Sequence, residues 1–126
     1  MTGTVLYIDD EEANIKLVER VLRRRPDIRL RAARNGRDGV ESAVGDPPAL
    51  ILLDNRLPDS SGEQVLRQLA AAPATAAVPV IILTGDSAQT AEKLLAAGAA
   101  GYLLKPFDIH QLLEVIEKHL GLPIRA

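Results

Sequence analysis

Short apolar runs alternate with helical patterns along the whole chain. The first run, Val5-Leu6-Tyr7-Ile8, stops in the acidic stretch Asp9-Asp10-Glu11-Glu12. Ile15, Val18 and Leu22 then recur on one helical face, with Leu17 and Val21 beside them, until Pro26 ends the helix. Ile28-Arg29-Leu30-Arg31-Ala32 alternates apolar and charged residues, which predicts a half-exposed strand. Val40, Ala43 and Val44 predict a short second helix, with Gly45 as its stop and Pro47-Pro48 beyond. Leu50-Ile51-Leu52-Leu53 forms a third strand and runs straight into Asp54. Ser61 followed by Gln64 resembles a capping box, and Val65, Leu66 and Leu69 give that third helix its apolar face. Val80-Ile81-Ile82-Leu83 reaches Thr84, and a fourth helix carries Ala91, Leu94 and Leu95 before stopping at Gly98. Tyr102-Leu103-Leu104 leads into Lys105-Pro106. Asp108 then opens a fifth helix striped by Ile109, Leu112, Leu113, Ile116 and Leu120, closed by Gly121 and Pro123.

Strands that alternate with helices imply parallel β-α-β units and an α/β fold. The runs ending at Ile8, Leu53 and Leu83 are apolar on both faces and belong inside the sheet. The alternating Ile28–Ala32 run belongs at an edge, as does the short last strand with Gly101. The order 2-1-3-4-5 satisfies these placements with right-handed crossovers, giving a doubly wound, five-stranded, flavodoxin-like three-layer sandwich.

Composition narrows the class. The 126 residues suit one domain, expected over 1–126 with its core at about 4–120 and no output domain attached. With 47% hydrophobic and 25% charged residues the chain reads as globular rather than disordered. Lys and Arg total 15 against 17 Asp and Glu, and a net charge of −2 gives no electrostatic case for nucleic acid. No cysteine is present, which excludes thiolate metal sites and cysteine nucleophiles. The apolar runs fall far short of a membrane span and the N-terminus has no export pattern, so a cytoplasmic protein without membrane contact is expected.

The chemistry collects at one edge. Ligands of an open parallel sheet bind outside the carboxyl ends of its strands, where the strand order reverses. There the topology gathers Asp9 and Asp10 after the first strand and Asp54 after the third, with Thr84 and Lys105 further along the rim. Singly, each has an ordinary explanation: an aspartate after a strand is often the cap of the next helix, Thr84 a turn residue, Lys105 a solvated charge. Jointly they do not. Three neighbouring carboxylates repel unless a cation or protons compensate, and an all-oxygen ligand set favours Mg²⁺. Carboxylate, Mg²⁺, hydroxyl and lysine around one point form a cradle for a phosphoryl group.

These residues resemble the receiver domains of two-component response regulators, over about Thr4 to Leu120. The motifs are Tyr7-Ile8-Asp9-Asp10-Glu11, then Leu53-Asp54-Asn55-Arg56-Leu57-Pro58-Asp59-Ser60-Ser61-Gly62, then Ile82-Leu83-Thr84-Gly85-Asp86, and finally Tyr102-Leu103-Leu104-Lys105-Pro106-Phe107. The resemblance implies Asp54 as the acyl-phosphate acceptor. It implies Asp10 as a direct Mg²⁺ ligand with Asp54, Asp9 acting through a water, and the backbone carbonyl of Arg56 completing the protein ligands. Lys105 would pair with the phosphoryl group or, before it arrives, with Asp54. Thr84 would bond a phosphoryl oxygen, Tyr102 would move inward with it, and Lys105-Pro106 would be a cis peptide. The expected donor is a histidine kinase or phosphotransfer protein. The expected readout is a downstream protein or self-dimer bound through the fourth helix, last strand and last helix. Such a domain is not an enzyme beyond catalysing its own phosphorylation and dephosphorylation.

Arg56 and Asp86 occupy rim positions that vary in that family, and from strands three and four they are placed to pair across the pocket. His110 and His119 read as surface positions of the last helix. Arg23-Arg24-Arg25 reads as a solvated helix end, and Asp59 as a residue of the turn around Pro58. The alternative function is a Mg²⁺-dependent phosphohydrolase working through an aspartyl phosphate. Haloacid dehalogenase-type enzymes, however, use a second aspartate two residues beyond the nucleophile, where Arg56 stands. A nucleotide- or flavin-binding module would want a Gly-rich phosphate loop after the first strand, and Asp9–Glu12 is its electrostatic opposite. DNA binding lacks both a helix-turn-helix and positive charge.

Overall fold

The computed structural model describes residues 3–121. Five strands and five helices alternate: β1 (Gly3–Ile8), α1 (Glu12–Leu22), β2 (Ile28–Ala33), α2 (Gly36–Gly45), β3 (Leu50–Asp54), α3 (Gly62–Ala71), β4 (Val80–Thr84), α4 (Ala88–Ala96), β5 (Gly101–Leu104) and α5 (Ile109–Leu120). The strands form one parallel sheet in the order β2-β1-β3-β4-β5. The doubly wound order anticipated from the apolar runs is the one observed.

Side-chain alternation along the central strands divides the core into two layers. Val5, Tyr7, Leu50, Leu52, Ile81 and Leu83 pack with α1 and α5 through Ile15, Val18, Leu112 and Ile116. Leu6, Ile8, Ile51, Leu53 and Ile82 pack on the opposite face with α2, α3 and α4 through Ala43, Val65, Leu69 and Leu94. β1, β3 and β4 are therefore buried on both faces, whereas β2 at the edge is buried only at its ends, Ile28 and Ala33, with Arg29 and Ala32 exposed. Among the described residues no helix is long and apolar enough to cross a membrane.

Helix ends follow local chemistry. Ser61 and Gln64 make a reciprocal capping box on α3, and Asp108 and Gln111 make another on α5. Asn35 caps α2 and Ser87 caps α4 through their side chains. Gly121 closes α5 with φ of 71°, a left-handed conformation in which a Cβ would be strained. Pro123, the other expected stop, lies outside the described residues.

α2 ends at Gly45, the stop expected from the sequence, and Asp46 follows it with φ of −150°. Two expectations are corrected. Asp59 does more than serve its own turn: its carboxylate accepts the N–H groups of Gly36 (2.8 Å) and Arg37 (3.0 Å) at the start of α2. Arg25 is not solvated, being only 4% exposed and paired with both Asp27 and Glu117. Glu117 lies in the buried stripe of α5, a position where a charge persists only with a partner. The arginine triplet thus divides, with Arg23 and Arg24 exposed and Arg25 turned inward.

Candidate functional site

The carboxyl edge of the sheet gathers its polar groups because β1, β3, β4 and β5 end there side by side: Asp54 and Thr84 are the last residues of β3 and β4, and Asp9 and Lys105 directly follow β1 and β5. Asp9, just past β1, is fully buried, whereas Asp10 is exposed. Tyr7 (2.5 Å) and the Asn14 amide (3.0 Å) both donate to Asp9 Oδ2, and the backbone N–H of Glu11 donates to Oδ1 at 2.9 Å. Asp54 ends β3 half-buried, with Lys105 Nζ 3.3 Å from its Oδ1. Oxygens of Asp9, Asp10 and Asp54 lie within 4.8 Å of one another. Burial pushes the Asp54 carboxyl above its usual range, and the charge of Asp9 adds to this, while Lys105 and the backbone N–H of Arg56 oppose it.

The turn after β3 is tightly made. Gly62 N–H donates to the Asn55 carbonyl at 2.8 Å, Leu57 N–H to Ser60, and Arg56 pairs with Ser61 as an isolated antiparallel bridge. A Cβ on Gly62 would sit 3.1 Å from the Asn55 Cα, so the helix approaches the turn only because that side chain is missing.

A polar clamp joins this turn to the one after β4. Arg56 meets Asp86 at 2.6 Å through Nη2, and Asn55 donates to the same carboxylate at 2.9 Å. Arg56, then Asn55, hold the Asp86 carboxyl below its ordinary value. The Asp86 N–H in turn donates to Thr84 Oγ1 at 3.0 Å, so the buried hydroxyl at the end of β4 is engaged by its own loop. The Lys105 N–H bonds the Thr84 carbonyl at 2.7 Å, and the Lys105–Pro106 peptide is cis. Asp10, Asp54, Arg56, Thr84, Asp86 and Lys105 line one open cleft of about 490 Å³. Tyr102 lies apart from that lining, half-buried on β5 against the α2–α4 layer. Neither His110 nor His119 lines it; the His119 ring bonds the Val115 carbonyl of its own helix.

Three carboxylates against one lysine make the rim strongly anionic, and every available ligand atom is a hard oxygen. That donor set fits a small divalent cation such as Mg²⁺. Asn55, Tyr7 and Asn14 were not singled out from the sequence. For Tyr7 a signal existed: a strand's two-residue period puts it on the same face as Asp9.

The response regulator receiver domain model matches residues 5–117. The chain is 30% identical to the polar-differentiation response regulator DivK of Brucella ovis, covering 96% of this chain and 98% of DivK. It is 34% identical to the response regulator PleD of Caulobacter vibrioides over 86% of this chain. PleD and another curated relative, 36% identical, are longer, and the chain spans about a quarter of their length. Among solved structures, the receiver domain of the sensor histidine kinase PA1611 from Pseudomonas aeruginosa superposes with a TM-score of 0.85. It shares 30% identity, with 94% of this chain and 98% of that one covered, and it holds a magnesium ion in its active-site cleft. The chemotaxis response regulator CheY4 of Vibrio cholerae shares the fold, with a TM-score of 0.87 at 23% identity over 94% of this chain and 99% of that one. With its strand order, acidic rim and near-complete match in view, the chain belongs to the response regulator receiver domain family.

Proposed function

We propose that this receiver domain accepts a phosphoryl group on Asp54 from a phosphohistidine donor, with Mg²⁺, and switches the binding of a partner. The observation that carries the reading is the placement of Asp54: half-buried between the Asp9–Asp10 pair and Lys105, at the floor of an open cleft.

Asp10, Asp54 and the Arg56 carbonyl would hold the metal directly, and Asp9 through a water. The cation supplies charge neutralisation at the phosphoryl oxygens. An oxygen of Asp54 attacks the phosphorus, the bond from phosphorus to the donor nitrogen breaks, and the imidazole leaves with that electron pair. Lys105 would then turn from Asp54 to a phosphoryl oxygen, and the Thr84 hydroxyl, which accepts the Asp86 N–H, would donate to another. As Thr84 is drawn inward, space opens for Tyr102, which couples the site to the α4–β5–α5 face. Leu104, exposed at 37% on that face, supports its use for a downstream protein or a second copy. The donor would be a histidine kinase or phosphotransfer protein in the cytoplasm.

The test is mass spectrometry after borohydride trapping, with phosphoramidate as donor. A label on Asp54 that requires Mg²⁺ and disappears in Asp54→Asn is expected. A label on His110 or His119 overturns the assignment.

A further inference from the structure

We infer that Tyr7 is a positioning residue for the cation: its hydroxyl, acting on Asp9, fixes the one oxygen lone pair that Asp9 turns toward the acidic cluster. The inference rests on the proposed Mg²⁺ site. It concerns a residue of the β1 core, in no direct contact with the metal.

The position does not call for a hydroxyl on packing grounds. Tyr7 is 1% exposed, and its ring lies in the layer shared with α1 and α5. The neighbouring buried positions of β1 are Val5, Leu6 and Ile8, all without polar atoms. A phenol buried there is costly unless its O–H finds an acceptor. The acceptor is Asp9 Oδ2 at 2.5 Å, within the short range of bonds to an ionised carboxylate.

The pattern around Asp9 gives that contact its consequence. A carboxylate has about four acceptor sites. Tyr7 and Asn14 occupy those of Oδ2, and the Glu11 N–H occupies one on Oδ1. One site on Oδ1 is left for the cluster with Asp10 and Asp54. The carboxylate cannot rotate without breaking bonds to three elements at once: β1, the turn after it, and α1. Asp9 is thereby held ready for a single further contact, consistent with a water-mediated rather than a direct role. Groups that orient a metal-binding residue from behind typically alter affinity by about 10- to 100-fold when removed.

Calorimetric titration of the full chain with Mg²⁺ tests this, comparing wild type, Tyr7→Phe and Asn14→Ala. Phenylalanine keeps the ring, so the β1 layer stays filled. Asn14→Ala removes the second donor to Oδ2 from α1, with no change in the β1 core. The expected result is a Kd weakened about tenfold in Tyr7→Phe and weakened in the same direction in Asn14→Ala. A spectroscopic signature accompanies it. The chain has two tyrosines and no tryptophan, so the phenol band is readable. Mg²⁺ should perturb that band in wild type and not in Tyr7→Phe. If wild type binds Mg²⁺ and Tyr7→Phe binds it equally, Tyr7 is only a core residue and the inference is overturned. If wild type takes up no Mg²⁺, the metal-site reading itself fails, and this one with it.

Discussion

Arg56 is a residue expected to matter little to stability and, under the proposed function, to act on a rate. Its side chain is 81% exposed, and pairs of this kind contribute about 0–1 kcal/mol. Yet it reaches across the cleft to Asp86, where a water would approach the proposed acyl phosphate in line with Asp54. Arg56→Ala is expected to speed loss of the phosphoryl group by about fivefold or less, the factor that 1 kcal/mol allows. Phosphorylation of Asp54 and Mg²⁺ affinity should remain near wild type. A time course of dephosphorylation by phosphate-affinity electrophoresis reads this, and an unchanged decay would return Arg56 to a surface role. At this scale Asp9, Asp10, Asp54, Thr84 and Lys105 were legible because each ends a strand at one edge. Asn55 and Asn14 were not, because their part depends on a partner's position across a turn, which no single-residue pattern records; Tyr7 carried only its strand period shared with Asp9.

Among the elements, the turn after β3 and the start of α2 behave as one piece. Asp59 on the turn receives two α2 N–H groups, and a Cβ on Gly36 would approach Ser60 Oγ within 2.5 Å. The Gly36 N–H, then that of Arg37, hold the Asp59 carboxyl below its ordinary value. A carboxylate with a lowered native pKa stabilises the fold above its unfolded value of about 3.9, and that stabilisation is lost as pH falls through the native pKa. Asp59→Ala should therefore melt below wild type at pH 7. The gap should hold steady down to about pH 4 and close only in stronger acid. Thermal melts across that range check it, and a gap that closes near pH 6 would contradict the assignment. The elements themselves were readable from apolar spacing and caps. Their joints were less so: Asp59 in a Pro58 turn looks self-contained, and its bond to α2 exists only once the loop and helix are side by side.

Over the whole molecule, the proposed Mg²⁺ site would link the acidic rim to the fold's stability. Mg²⁺ would bind the gathered carboxylates and not the dispersed ones of the unfolded chain, so at a hundredfold excess over Kd it should add about 2.7 kcal/mol. Asp10→Asn should abolish most of that gain and raise the metal-free melting temperature by relieving repulsion within the cluster. Calorimetric scans with and without Mg²⁺ measure both effects, and a melting temperature indifferent to Mg²⁺ would count against the site. The sheet order was legible because two-sided apolar strands belong inside and alternating ones outside. The inward turn of Arg25 was not, since an arginine triplet at a helix end carries no mark of a glutamate elsewhere.

That ion pair has a kinetic consequence. Arg25 and Glu117 are separated by 92 residues, so their contact closes a loop over most of the chain. Loop closure of this span is entropically costly, and contacts at such separation slow folding. Arg25 is synthesised long before Glu117, so this partner arrives only with α5. Docking of α5 desolvates both charges together, which makes the last helix the element that seals the first. A chain that ends before α5 would lack the buried carboxylate of Glu117, one of the partners Arg25 has in the fold.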